Sequence, residues 1–106
     1  MTSQLSLIYT TFSNQDDAHK ISRTLLEKRL IACVNIGSEI KSLYFWQERL
    51  EEDKEIPVLF KTTSEKVSLA IKILQDLHPY ETPAILEIPV AYAVPPFLEW
   101  VKKEVR

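Results

Sequence analysis

The six residues His78-Pro79-Tyr80-Glu81-Thr82-Pro83 place an imidazole, a phenol and a carboxylate close together in the chain. Neutral imidazole suits Cu(II), Ni(II) and Zn(II), and Glu81 adds a carboxylate oxygen if the turn folds back toward it. Each proline restricts the residue before it to extended backbone. The segment is therefore stiff, and it fixes where His78, Tyr80 and Glu81 point. Two readings stand side by side. The segment is a metal-ligating or ligand-binding site, or it is a sharp helix-to-strand turn in which a helix-ending histidine bonds to backbone.

Cys33 is the single cysteine. As a thiolate it is a soft copper ligand or a redox group. Within Ile31-Ala32-Cys33-Val34 it also reads as a small buried hydrophobe, and no flanking cation lowers its pKa. His19 lies off the apolar stripe of its helix and reads as a solvated surface residue.

These groups need elements to position them. Leu5 to Phe12 reads as a central strand, with Leu7-Ile8-Tyr9 covered on both faces. Ser13 and Asn14 are candidate caps, with Asp16 and Asp17 in a first turn whose dipole favours acids. A helix then runs to about Leu30 through Ala18, Ile21, Leu25 and Leu26. Ile31 to Trp46 reads as one long strand with a bend or bulge at Gly37. The charged run Gln47 to Lys54 suits an exposed hairpin tip. Glu55 to Thr63 returns as a strand, with Pro57 at an edge or bulge. Thr62-Thr63-Ser64-Glu65 fits a capping box with Thr62 as cap. The helix it opens carries Val67, Ala70, Ile71, Leu74 and Leu77 and stops at His78. Ala84 to Tyr92 is a fourth strand, and Pro95-Pro96 open a short terminal helix bearing Phe97, Leu98, Val101 and Val105. The order β-α-β-β-α-β plus a helix predicts an α+β, ferredoxin-like sandwich with a long central hairpin.

Length and composition bound the function. The 106 residues make one domain, residues 1–106. A formal charge of −2 lacks the basic face that nucleic-acid binding needs. No apolar run approaches the ~20 residues of a membrane span. Met1-Thr2-Ser3-Gln4 lacks a secretory signal, and the lone cysteine points to a reducing, cytoplasmic setting. A single glycine leaves no Gly-rich phosphate loop for a nucleotide or other organic cofactor. No Cys-x-x-Cys or His-x-x-x-His zinc pair occurs. An acylphosphatase-like hydrolase would need an Arg in an anion-cradling loop after the first strand. Thr10 to Asp17 has neither Arg nor Gly and carries two acids. The expectation is a protein that is not an enzyme.

Three segments then resemble one family: Ala32-Cys33-Val34-Asn35-Ile36; Ser42-Leu43-Tyr44-Phe45-Trp46 with Glu55 and Lys61-Thr62 downstream; and His78 to Pro83. With Phe97-Leu98-Glu99-Trp100 near the end, the set resembles the CutA divalent-cation tolerance family over nearly the whole chain. The resemblance implies a homotrimer built by strand pairing of the long hairpin, similar to PII signalling proteins. It also implies a cytoplasmic role in tolerance of copper or another divalent cation, with Cu(II) bound weakly through His78. A further small ligand or protein partner at an inter-subunit cleft is the alternative, without direct metal binding.

Departures from the family pattern are specific. Gly37-Ser38-Glu39 stands where a Pro-Gly turn is common, and Glu48 where glycine is usual. Leu77 and Tyr9 occupy two positions that match ligands in copper-binding members, so only His78 of three remains. In the implied trimer, Tyr44, Trp46, Glu55, Lys61 and Tyr80 are the polar or amphipathic residues that inter-subunit clefts would gather. They would bind a small anion or metabolite, or form an interface ion pair with hydrogen-bonded aromatics.

Overall fold

A computed structural model describes residues 4–106. Met1, Thr2 and Ser3, read above for a targeting signal, lie outside the described residues. In chain order the elements are β1 (Leu5–Phe12), α1 (Gln15–Glu27), β2 (Cys33–Ile36), β3 (Ile40–Trp46), β4 (Arg49–Thr63), α2 (Val67–Leu77), β5 (Ile85–Pro89) and α3 (Pro95–Glu104). The sheet runs β2-β4-β1-β5, with β3 pairing the first half of β4. Every pairing is antiparallel. This is the ferredoxin-like α+β arrangement read from the sequence.

Period-two alternation divides the sheet's faces. Ile8 and Phe12 of β1 and Ile56, Val58 and Phe60 of β4 turn to one side. There they pack against Ala18, Ile21 and Leu25 of α1 and Val67, Ala70 and Leu74 of α2. On the other side a smaller cluster, Leu5, Ala32, Val101 and Val105, docks α3 over one end of the sheet. Lys61 lies on that side too, its ammonium 5.6 Å from the centre of the Phe97 ring. The remainder of this second face is open: Leu86 and Ile88 are exposed, beside half-buried Tyr9 and Leu59.

Several local expectations are corrected. The long strand 31–46 is broken at 37–39 into β2 and β3, which share the same side of β4. The N–H of Gly37 donates to the carbonyl of Pro57 at the break. A Cβ on Gly37 would meet Cγ of Pro57 at 2.9 Å, so glycine is required by this close approach. Pro57 sits in a central strand, and of the edge or bulge expected there the bulge is found: Ile36 to Ile40 spans one residue more than Val58 to Glu55 opposite, and the interrupted neighbour does not need the N–H that proline lacks.

The charged run 47–54 does end a hairpin, as expected, but most of it is strand. Gln47 and Glu48, with φ of 49° and 65°, make a two-residue turn, and Arg49 onward is strand. Leu50 opposite Phe45 and Glu52 opposite Leu43 are ladder partners that a reading by charge alone obscured. Left-handed backbone at both turn positions matches the twist of the flanking strands but strains residues with a Cβ. Glu48→Gly is therefore expected to stabilise the hairpin by about 1 kcal/mol. Slower amide exchange along β3 and the outer half of β4 would record it.

Helix α1 ends at Glu27, short of Leu30. Arg29 takes a left-handed conformation, and the Leu30 N–H reaches back to the Leu25 carbonyl. Its start agrees with expectation, since the Asn14 side chain accepts from the Asp17 N–H. Thr62 is not the cap of α2. It lies buried in β4 and donates its hydroxyl to the Leu30 carbonyl, while Thr63 accepts from the Lys66 N–H one residue later. The last strand is also shorter than 84–92, closing at Pro89.

Candidate functional site

His78 terminates α2 with extended backbone, φ −67° and ψ 130°, as the following proline requires. This turns its ring inward, where it is 7 % exposed and stacks on Phe12 at 4.5 Å. Nδ1 accepts a hydrogen bond from the Tyr80 N–H at 3.2 Å, so Nε2 carries the proton and donates to the Thr11 carbonyl at 2.8 Å. Both ring nitrogens are thereby engaged, and the backbone-bonded, helix-ending reading describes this histidine. Burial pushes its pKa below 6.5, while the bond to Thr11 and the Asp17 and Glu55 carboxylates pull the other way.

The sign of that shift has a consequence. Above about pH 6.5 the ring is neutral in both folded and unfolded chains. Below it the unfolded chain takes up a proton that the folded one resists, so stability falls with pH through that window. Melting temperature is expected to drop more between pH 7.5 and 5 in the native sequence than in His78→Gln, which cannot titrate.

Beside His78, a cleft of about 550 Å³ opens between the hairpin and the 80–84 turn. The even-numbered residues of β3 and their partners in β4 form its wall: Tyr44 and Trp46 from one strand, Asp53 and Glu55 from the other. Tyr80 and Glu81 close it from the turn. Oε2 of Glu55 accepts from the Tyr80 hydroxyl at 2.9 Å and from the Thr11 hydroxyl at 2.8 Å. The Tyr44 hydroxyl donates to Asp53. That bond, with lesser contributions from desolvation and nearby carboxylates, pushes the Tyr44 pKa up to about 12. Burial and the bond to Glu55 raise that of Tyr80 as well. Both phenols therefore stay protonated as donors.

Of the residues singled out from sequence, this cleft gathers Tyr44, Trp46, Glu55, Tyr80 and Glu81, with His78 stacked edge-on behind Tyr80 at 4.8 Å. It does not gather Lys61 or Cys33 from the same chain. These two are ladder partners, and Lys61 is six residues along β4 from Glu55, roughly 20 Å at strand rise. Burial raises the Cys33 pKa, with Lys61 opposing, so the thiol is the resting form. Among the described residues, no group of three or more His, Cys, Asp or Glu is placed to hold a metal ion. Asp53 and Lys54 line the cleft, although the sequence reading left them in an exposed hairpin tip with no role. The alternation Asp53, Glu55 opposite Ser42, Ile40 was the signal that would have found Asp53.

No described helix is long and apolar enough to cross a membrane. The description "CutA1 divalent ion tolerance protein" matches residues 6–104. A divalent-cation tolerance protein CutA of Thermotoga maritima is 46% identical over 99 residues, 93% of this chain and 97% of that protein. The crystal structure of a divalent ion tolerance protein CutA1 from Ehrlichia chaffeensis superposes with a TM-score of 0.94 at 40% identity, covering 100% of this chain and 98% of the other. A CutA structure from Archaeoglobus fulgidus, described as periplasmic, gives 0.92 at 36% identity over 96% of this chain and 99% of that one. The chain accordingly belongs to the CutA1 divalent ion tolerance family.

Proposed function

We propose that this chain acts in divalent-cation tolerance as a homotrimer without catalytic activity, whose hairpins pair between subunits and whose cleft at the hairpin base takes a small ligand. The observation that carries this reading is the division of labour at residue 78. The imidazole is spent on two backbone bonds, while the neighbouring cleft presents aromatic rings and oriented carboxylates. Copper coordination by His78 would have to break one of those bonds and expose a buried ring, which works against a weak site. Glu81 and Cys33 offer it no company: Glu81 is exposed and Cys33 lies at the far end of the sheet. Tolerance through a ligand-responsive trimer, in the manner of PII proteins, fits better than direct metal carriage. A cytoplasmic setting is supported by the lone cysteine, in contrast to the periplasmic description of the Archaeoglobus protein.

Trimerisation is supported by surface that a single subunit leaves uncovered. Leu43, Phe45 and Leu50 form an exposed apolar face on the hairpin, on the side opposite the cleft. The radius of gyration is 14.5 Å, against about 13 Å for a compact chain of this length. The projecting hairpin accounts for the excess. Isothermal titration with Cu(II), run beside light scattering, tests the reading. The expected result is a mass of three chains and Cu(II) binding that is the same, or equally absent, in the native protein and His78→Ala. Micromolar binding that disappears in His78→Ala would overturn it.

A further inference from the structure

We propose that the cleft between the hairpin and the 80–84 turn binds a small organic cation, a protonated amine or guanidinium, between its aromatic rings and the Glu55 carboxylate. The inference deepens the reading of the cleft as a ligand site and rests on it. Three independent features of the cleft support a cation over an anion. Its charged lining is Asp53, Glu55 and Glu81 against Lys54 alone. None of the three ion pairs among the described residues involves any of these acids, so no cation of the chain is paired with them. Within one chain, Lys61 lies over Phe97 on another part of the sheet and does not reach the cleft.

Glu55 is prepared for this role. It is half-buried, and both of its hydroxyl donors, Thr11 and Tyr80, go to Oε2. Among the described residues Oε1 has no donor. A carboxylate held in one orientation with an oxygen free is a ready acceptor for a charged N–H donor. Tyr44, Trp46 and Tyr80 line the same cleft and offer π faces, which attract cations and suit alkylammonium or guanidinium groups better than hydrated metal ions. A volume of about 550 Å³ also exceeds what a single metal ion requires and falls in the range of small-molecule sites. Tyr80 connects the cleft to α2, since its N–H is held by His78 and its hydroxyl by Glu55. A bound cation that draws on Glu55 would be sensed at the end of that helix.

The test is titration of the full-length protein, monitored by Trp46 fluorescence in a Trp100→Phe background and by calorimetry, at about 0.15 M salt so that unspecific attraction is screened. The probes are 1,4-diaminobutane, agmatine, 1,4-butanediol as the neutral counterpart, succinate as the anionic one, and Mg²⁺. The expected result is saturable binding of the two cations, weakened at least tenfold in Glu55→Gln and in Tyr44→Leu, and unchanged in Glu65→Gln, an exposed acid elsewhere. Melting curves of each variant confirm that it is folded. Saturable, Glu55-dependent binding of succinate or butanediol instead would overturn the cation assignment while leaving the cleft a ligand site. So would Glu55-dependent binding of Mg²⁺ without the amines. Amine binding indifferent to Glu55 and Tyr44, or no binding of any probe, would overturn the proposal, and the latter would count against the ligand-site reading too.

Discussion

Replacing Leu43 and Phe45 together by glutamate is expected to reduce the mass in solution from three chains to one while the subunit stays folded. These side chains are 62% and 74% exposed in the isolated chain, so the subunit gains almost nothing from them. Surface substitutions of this kind change subunit stability by about 0.5 kcal/mol or less. In a trimer paired through its hairpins the same residues would be buried. An unpaired charge inside an interface costs about 2–5 kcal/mol, so two per chain weaken association by at least a thousandfold. Light scattering reads the mass, and circular dichroism confirms the fold. A variant that keeps a trimeric mass would show that the subunits meet elsewhere, for which the open sheet face at Leu86 and Ile88 is the other candidate surface.

The second large effect concerns stability. His78→Ala is expected to lower unfolding free energy by about 2–4 kcal/mol, combining the loss of a large buried ring with a carbonyl left unpaired. The ring stacks on Phe12, itself fully buried, so its removal opens a hole against the main core. It also frees the Thr11 carbonyl and the Tyr80 N–H, which tie β1 to the 78–83 turn. For a chain of this size the melting temperature should fall by roughly 10–20 °C when compared at one protein concentration. His78→Gln, which keeps a donor for Thr11, should recover part of the loss. A merely surface histidine would show neither the drop nor the recovery. The same substitution is the one used in the Cu(II) titration, so the melting curve and the isotherm separate a structural role from a ligand's role at this position.

The elements themselves were legible where local rules are strong. The Asn14 cap with Asp16 and Asp17, the apolar stripes of α1 and α2, and the stop at His78-Pro79 all come from interactions within a few residues. The readings that failed depended on distant partners. The run 47–54 looks like a loop by charge, but it is a strand because β3 lies beside it and a two-residue turn joins them. Thr62 looks like a cap, but its hydroxyl is claimed by Leu30 across the fold.

The candidate site divides the same way. Residue types and the stiffness of the 78–83 segment were set by the sequence alone, as were the family pattern and the α+β order, because proline geometry, capping and hydrophobic periodicity act locally. Only the tertiary structure decided how those side chains are used. Whether His78 is a free ligand or a pinned core ring depends on β1 supplying Thr11 and Phe12 from more than sixty residues away in the chain. Within one chain, whether Glu55 meets Lys61 or two hydroxyls depends on register: in β4, residues 55 and 61 share a face yet stand roughly 20 Å apart. Long-range pairing, which no short window of sequence contains, thus set the charge of the cleft.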